Sequence, residues 1–429
     1  MISSVPTAGS RAFKLAAFLP LVLALLSFDT VSPSVQDKDA EIRAAYENVA
    51  KLRAAMNGEM TDEQRREKMI RYEDAARSFI EKYKGTPGIV QGHFDLGRAY
   101  LEVFDPEDAA KEFEAYLKLA PKGADADKAM LFLGDSYRAT MQLDKAEAVY
   151  RRFESAFPKH KDLAYAKLGL ATTKVLSLDF RGAEAIYQDI LAHFADHRVA
   201  PDASMQLLTT YLRDFKYDQA RDLLKTLESS AKDAPELLYI GKQLEILGKP
   251  APELVGIQAW AGPPGSSIER MRGRVLVLCF FMMKNIPSAR TLQWLSKMER
   301  DLDAEGVTVW GLSKAYKSAK GVRTLDWETR WLQRYRENPE FVIRQELSLT
   351  DTVIQQQKEL FDSLKKPITV SLALTKDFTN HRAYKVRRVP CVIVIDKKGR
   401  VRLIEEAGQP EGGFVDRLIR KTVKRLAVE

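Results

Sequence analysis

Cysteine is almost absent from this chain, which has only Cys279 and Cys391 among its 429 residues. Two cysteines cannot form a disulfide framework, so a hydrophobic core must hold the fold together. The sequence also has no Gly-rich loop that would cradle a phosphate and no identifiable Ser/His/Asp constellation. We therefore predict no cofactor and no hydrolase triad.

Histidine is scarce as well, with five residues scattered along the chain. Only His193 and His197, four residues apart, have a spacing that a metal site could use, and no third ligand accompanies them. We predict a solvated pair at a helix end and no metal site.

Long apolar runs are missing except at residues 15–28 (LAAFLPLVLALLSF), which follow Arg11 and Lys14. This run is shorter than the roughly 20 residues that a membrane span needs, and it is typical of a secretory signal. We assign residues 1–34 to that signal and predict an exported, periplasmic or secreted protein. The alternative is an uncleaved N-terminal anchor, and only then do we expect contact with the membrane.

The net charge of +8 is unevenly distributed. From Pro250 onward the chain has 32 Lys and Arg against 21 Asp and Glu (+11), which leaves 35 against 38 (−3) before it. Such an excess is typical of a solvated basic face, or of one that meets an acidic partner or an anionic surface. Nucleic acid is not an expected partner, because an exported chain without a binding motif offers nothing to recognise it.

From His93 the sequence repeats with a period of 37 residues. The register is carried by small, aliphatic and aromatic residues at fixed places. They are Ala109, Ala146, Ala183 and Ala220; Leu96, Leu133, Leu170 and Leu207; Phe113, Tyr150 and Tyr187; and Gly97 and Gly134. A fixed period of this length predicts a stack of helical hairpins in which small residues allow close helix approach and aromatics fill the gaps.

These positions resemble tetratricopeptide repeats, which implies a helical superhelix with a protein-binding surface. We assign residues 91–247 to the repeats and residues 35–90 to a preceding helical hairpin. Thr61 and Gln64 form a capping-box signature at the start of its second helix. The period of 37 is similar to that of repeat proteins in the bacterial envelope, so an envelope protein is the expected partner.

The composition changes near residue 248, where Pro250 and Pro252 exclude a continuing helix. Residues 275–281 then form an apolar run of strand length, followed by a turn at 285–288 and a helical pattern. Residues 248–254 (GKPAPEL), 272–277 (RGRVLV), 384–390 (YKVRRVP) and 392–401 (VIVIDKKGRV) resemble, in order, landmarks of the thioredoxin superfamily. The match is to TlpA-like and alkyl hydroperoxide reductase/thiol-specific antioxidant proteins and implies an α/β thioredoxin-like fold over residues 248–429.

The sequence departs from that family where its chemistry resides. The family's Cys-x-x-Cys pair falls on Asn285 and Ser288, which cannot form a disulfide, whereas Pro390 falls on the family's cis-proline. The resemblance implies that Pro390 borders a groove for an extended peptide. For Cys279 and Cys391 three alternatives stand: buried structural thiols, a reactive Cys391, or a cross-strand disulfide.

Residues 313–366 form an insertion that a minimal thioredoxin fold does not need. It carries Trp327, Trp331 and Tyr335 at a spacing of four, which indicates either helix packing or a face that recognises a partner. At the C-terminus, residues 413–426 predict a helix that covers the sheet with its basic side outward.

Two functions follow. The first is an exported scaffold or adaptor, in which a tetratricopeptide-like superhelix is joined to a redox-silent thioredoxin-like domain and binds an envelope protein or an extended peptide. The second is a thiol-disulfide oxidoreductase or peroxidase that uses Cys391 as its lone thiol. The first is favoured because Asn285 and Ser288 stand where the family keeps its cysteines.

Overall fold

The computed structural model describes residues 33–86, 89–230, 234–314, 324–408 and 411–429. These residues contain eighteen α-helices and one six-stranded sheet. The predicted signal segment, apart from its last two residues, lies outside them. The chain forms two compact units, residues 1–173 and 174–429, each of which is described by itself.

The first unit consists of helices whose consecutive members pack against one another. Thr61 caps the second helix, and its hydroxyl accepts from the Gln64 amide while the Gln64 side chain accepts from the Thr61 amide, which is the predicted capping box. The helices are α1 (Pro33–Ala54), α2 (Asp62–Tyr83), α3 (Gln91–Glu102), α4 (Pro106–Leu119), α5 (Ala126–Ala139), α6 (Leu143–Ala156) and α7 (Leu163–Leu176), the last of which continues three residues into the second unit.

The repeat positions lie in the core, and Tyr150 shows why small residues recur there. Its ring is fully buried, and a Cβ atom added at Gly134 or Gly169 would come within 2.7 Å or 2.5 Å of it. Its hydroxyl donates a 2.7 Å hydrogen bond to Asp135. All four periodic alanines have no exposed surface. The aromatic of one hairpin thus occupies the space that glycines leave on its own hairpin and on the next.

The second unit begins with the last repeat helices and continues into the sheet. Its helices before the sheet are α8 (Phe180–His193), α9 (Ala200–Arg213), α10 (Tyr217–Ser230) and α11 (Pro235–Leu244). The strands are β1 (Ile257–Ala261), β2 (Val275–Phe280), β3 (Val307–Lys314), β4 (Ser371–Thr375), β5 (Cys391–Ile395) and β6 (Val401–Glu406).

The sheet has the order β1-β4-β3-β2-β5-β6. Strands β2, β3 and β4 are parallel, and β1, β5 and β6 pair antiparallel to their neighbours. Every residue of β2 is buried, as its unbroken apolar sequence predicts for a central strand. The predicted fold class, an all-α repeat region followed by an α/β domain with a helical insertion, is confirmed.

Helices cover the sheet and fill the insertion. The helix after β2 is α12 (Ile286–Asp301), and the C-terminal helix is α18 (Phe414–Val428), which contacts β2 and β5. Between β3 and β4 lie α13 (Leu325–Glu337), α14 (Pro339–Leu347), α15 (Asp351–Gln356) and α16 (Lys358–Ser363), and α17 (Thr379–Ala383) follows β4. Helix α13 contacts β1 and β4, so the insertion packs against one edge of the sheet.

The division into compact units differs from the domain boundary near 248 that the sequence suggests. Side chains of α9 and α10 bond directly to β6. The Arg213 Nε atom donates to Glu405 Oε1 at 2.7 Å, and the Tyr217 hydroxyl donates to the Arg402 carbonyl at 2.8 Å. The ranges 35–90, 91–247 and 248–429 therefore stay predictions drawn from sequence pattern, whereas packing joins the last repeat helices to the sheet.

The expectation for the terminal helix was wrong on one point. Helix α18 does cover the sheet, but part of its basic side faces other chain segments. Arg417 donates to the Leu176 carbonyl at 3.0 Å, and Lys421 donates to the Leu178 carbonyl at 2.6 Å. The unpaired carbonyls at the end of α7 attract these cations, which a sequence pattern within α18 alone cannot reveal.

Candidate functional site

The loop after β2 is closed by a hydrogen-bonded pair at the two positions where the related family keeps cysteines. Asn285 is the N-cap of α12, and its Oδ1 accepts from the Ser288 amide at 2.8 Å and from the Ser288 hydroxyl at 2.9 Å. The Ser288 hydroxyl in turn accepts from the Met282 amide at 3.3 Å. Asn and Ser are preferred at helix starts because they satisfy amides that have no partner within the helix.

This arrangement stabilises the loop and supplies no reactive group. A helix N-terminus favours negative charge and lowers the pKa of a thiol placed there, but neither an amide nor a hydroxyl ionises near neutral pH. Ser288 is fully buried, and its hydroxyl donates its proton to Asn285, an amide oxygen that cannot act as a base. The geometry therefore does not activate Ser288 as a nucleophile.

The Val389–Pro390 peptide bond is cis, and it lies beside this loop. The Pro390 carbonyl accepts from the Ala407 amide at 2.8 Å. A Cβ atom added at Gly408 would lie 3.3 Å from Pro287 and 3.8 Å from Pro390, so Gly408 stands next to both prolines. The fold thus brings the predicted cis-proline and the predicted vacant pair to the same end of the sheet.

The residue two positions before Val389 is engaged by α11. The Arg387 guanidinium pairs with Glu236 and with Glu406 at 3.0 Å each and lies 4.2 Å from the centre of the Tyr239 ring. A cavity of about 220 Å³ lies alongside, between α9, α11 and β6. Tyr239 and Arg387 line it, so the segment that leads to the cis-proline borders a recess with both aromatic and charged walls.

Both thiols are free, fully buried and on opposite faces of the sheet. Cys391 pairs with Phe280, and Cys279 pairs with Val392. Because side chains alternate along a strand, these pairings direct the two sulfurs to different faces and disfavour a cross-strand disulfide. Burial raises the pKa of Cys279 and of Cys391 well above the ordinary thiol value, which disfavours the nucleophilic thiolate.

The aromatic stripe of the insertion is mostly internal packing. The Tyr335 ring has no exposed surface and stacks on Phe281 at a centroid distance of 5.6 Å. Trp331 donates its indole N–H to Glu346 at 2.7 Å and stacks on Trp327 at 5.0 Å. The partner-face interpretation was therefore wrong for Tyr335, because a ring that fills the space beside β2 is not available to another protein.

A recess in the first unit escaped the sequence analysis. It is a cavity of about 340 Å³ with aromatic walls from α1, α3 and α5, namely Tyr46, Phe94 and Phe132. Asp95 also lines it and is almost fully buried, with Arg98 at 3.7 Å and one carboxylate oxygen without a hydrogen-bond partner among the described residues. An acidic residue between Phe94 and Leu96 was the available signal, but the cavity depends on three helices that are distant in sequence.

Burial raises the pKa of Asp95 from 3.8 to about 6. A carboxyl group whose pKa is higher in the folded state binds protons more tightly there, so it favours folding below about pH 4 and costs stability as pH rises through 6. We expect Asp95→Asn to gain about 2 kcal/mol in unfolding free energy, relative to the parent, between pH 4.5 and 7.5. Urea denaturation with hydrogen exchange of α3 measures this.

Asp108→Asn is the matched control for that measurement, because Asp108 is 40% exposed. It should change stability equally at both pH values. An Asp95→Asn effect that does not depend on pH would contradict the assignment of a buried, proton-binding carboxyl group.

Comparisons with known proteins agree with this architecture. The tetratricopeptide repeat family model matches residues 128–160. No curated protein sequence matches the chain. Among solved structures, nearly identical TPR-like repeats from Podosopora anserina are 14% identical, with 46% of this chain and 98% of that chain covered at a TM-score of 0.35 to 0.36 for the variant and parent forms.

Two similar structures cover the sheet region instead. A thiol-disulfide isomerase from Corynebacterium glutamicum is 20% identical, with 42% of this chain and 97% of that chain covered at a TM-score of 0.28. The thioredoxin domain of a thiol-disulfide oxidoreductase from Bacteroides vulgatus is 17% identical, with 41% and 97% covered at 0.26.

Within the described residues, no helix is both long enough and apolar enough to cross a membrane. The first helix pair after the masked N-terminus is amphipathic and packs in the first unit. The repeat match and the strand order together lead to one conclusion: the chain carries a tetratricopeptide repeat region followed by a thioredoxin-like sheet.

Proposed function

We propose that this protein is a redox-silent, protein-binding scaffold that acts in an exported compartment. The observation that carries the proposal is the Asn285–Ser288 pair, which occupies the helix N-terminus with hydrogen bonds of 2.8 and 2.9 Å. In a thiol oxidoreductase this position must hold a thiolate that attacks a disulfide and a second thiol that resolves the product. Here both positions are committed to capping α12.

The two thiols present do not replace that pair. Attack on a substrate disulfide needs an accessible thiolate, and burial raises the pKa of both Cys279 and Cys391. Resolution of a mixed disulfide needs a second thiol within reach, and the strand register directs the two sulfurs to opposite faces. The alternative function, a reductase or peroxidase that uses Cys391, would have to overcome both obstacles.

The binding half of the proposal rests on the repeats. Stacked helical repeats provide extended surfaces for other proteins, and the cavity lined by Tyr46, Phe94 and Phe132 offers an aromatic recess in which a side chain can be buried. The partner we propose is an envelope protein or an extended peptide, without nucleic acid. The exported location follows from residues 1–34 alone, which lie almost entirely outside the described residues.

A thiol assay tests the proposal. We expect the purified chain and its Cys391→Ala variant to show the same background rate of disulfide reduction and of peroxide consumption, because the thiol is buried and has no resolving partner. Alanine is chosen because it keeps position 391 small and apolar. A rate in the parent that matches a thiol oxidoreductase and disappears in Cys391→Ala would establish the enzyme instead.

A further inference from the structure

Four turns of the repeat region share an unusual backbone conformation. Phe104, Met141, Leu178 and Phe215, spaced 37 residues apart, have φ angles of 59°, 59°, 62° and 65°. An L-residue in this left-handed region costs about 1 kcal/mol or more, and glycine or asparagine occupies it more readily. A large apolar side chain at all four turns indicates that the side chain itself is used.

Two of these turns, both in the second unit, show what the side chains do. Helix α18 lays Arg417, Lys421 and Arg425 along one face at intervals of four. Arg417 donates to the carbonyl at the end of α7, and Lys421 donates to the Leu178 carbonyl at 2.6 Å. Leu178 is only 9% exposed as a result.

The fourth turn meets the same helix through its aromatic ring. Arg425 lies 4.6 Å from the centre of the Phe215 ring and 3.4 Å from Asp214, while Arg402 of β6 lies 4.3 Å from that ring. Guanidinium groups over an aromatic face gain cation–π attraction, and the neighbouring carboxylate adds an ion pair. The turn therefore receives a basic helix by ring, carbonyl and carboxylate together.

The first two turns present the same apolar position to solvent. Phe104 is 85% exposed and Met141 is 44% exposed. Around Phe104, residues 101–108 (LEVFDPED) contain four acidic side chains and no Lys or Arg. This turn thus offers an exposed aromatic ring in an acidic setting, which is complementary to a basic helix.

We infer that the turns at Phe104 and Met141 bind a basic amphipathic helix of a partner protein, with Lys or Arg at positions i, i+4 and i+8. The inference deepens the proposed scaffold function and rests on it by naming the class of partner. The occupant is specified by charge complementarity and by the way α18 uses the equivalent turns. The thiol assay does not involve these turns, so either proposal can fail alone.

A labelled peptide tests the inference directly. The probe is residues 413–429 of this chain as a free peptide, titrated by fluorescence anisotropy against the full chain. We expect saturable binding that weakens at least tenfold in Phe104→Gly/Met141→Gly. Glycine accepts the left-handed backbone, so this variant removes the side chains and keeps the turns. Ile70→Asp, which alters a 55% exposed apolar residue outside the turns, should leave the affinity unchanged.

A second peptide, in which Arg417, Lys421 and Arg425 are replaced by Gln, should bind at least tenfold more weakly because it lacks the basic stripe. Three outcomes would overturn the inference: no binding of the basic peptide, equal binding by the double glycine variant, or equal binding of the Gln peptide. Binding that is lost in Leu178→Gly and retained in the Phe104 and Met141 variant would also overturn it, since the peptide would then be displacing α18.

Discussion

Replacing Asn285 and Ser288 together with cysteine should give this chain a thiol-disulfide activity at least about tenfold above that of the parent. Asn285 already accepts from the Ser288 amide at 2.8 Å, so a thiolate in its place would lie at the N-terminus of α12, where its pKa is lowered. The thiol at 288, one turn on, could then resolve the mixed disulfide. Reduction of insulin with dithiothreitol as the recycling reductant measures the rate.

The single variant Asn285→Cys is the control for that experiment. It should form a mixed disulfide with substrate and not turn over, because it lacks the resolving thiol. If the parent reduced insulin as fast as the double variant, the chemistry would come from elsewhere in the chain, and the assignment of a redox-silent loop would be wrong.

Removing the carboxylate of Glu405 should lower the unfolding free energy by about 2 to 3 kcal/mol. Glu405 accepts two hydrogen bonds from Arg213, at 2.7 and 3.2 Å, and the two side chains are only 13% and 20% exposed. The amide of Glu405→Gln keeps the shape and leaves a largely buried guanidinium without its counter-charge. Urea denaturation of the full chain, with hydrogen exchange of α9 and β6, reports the loss.

A matched pair separates this effect from a general loss of surface charge. Asp326 and Arg330 form an ion pair whose side chains are both 75% exposed, so Asp326→Asn should change stability by less than about 0.5 kcal/mol. The double variant Arg213→Met/Glu405→Leu should recover most of the loss, because it removes both buried charges. An effect of Glu405→Gln as small as that of Asp326→Asn would contradict the buried pairing.

The elements that sequence predicts best are those specified by a local pattern. The 37-residue register placed small and aromatic residues in the core, and the apolar run at β2 predicted a buried central strand. The Thr61 capping box and the Asn285 N-cap depend on residues three apart. In each case the signal and the contact lie within one or two turns of the chain.

The features that sequence did not predict depend on contacts between distant segments. Arg213 and Glu405 are 192 residues apart, and no pattern in either helix or strand announces the bond that joins α9 to β6. The same holds for Tyr335, whose ring stacks on Phe281. Amphipathic spacing indicated packing or recognition, and only the fold shows that this ring faces inward.

The candidate site divides in the same way. Alignment with the related family located Asn285, Ser288 and Pro390, because those positions are fixed by order along the chain. The recess around Asp95 was missed, because its walls come from three helices and its unusual carboxyl group is recognisable only from its burial.

The measurement that tests the central claim most directly is the alkylation of the native chain by iodoacetamide, followed residue by residue with mass spectrometry. The account predicts that Cys279 and Cys391 stay unmodified in the folded protein and that both react promptly in urea, since burial alone protects them. Rapid modification of Cys391 in the folded protein would show an accessible thiolate beside the cis-proline, and the redox-silent assignment would fall.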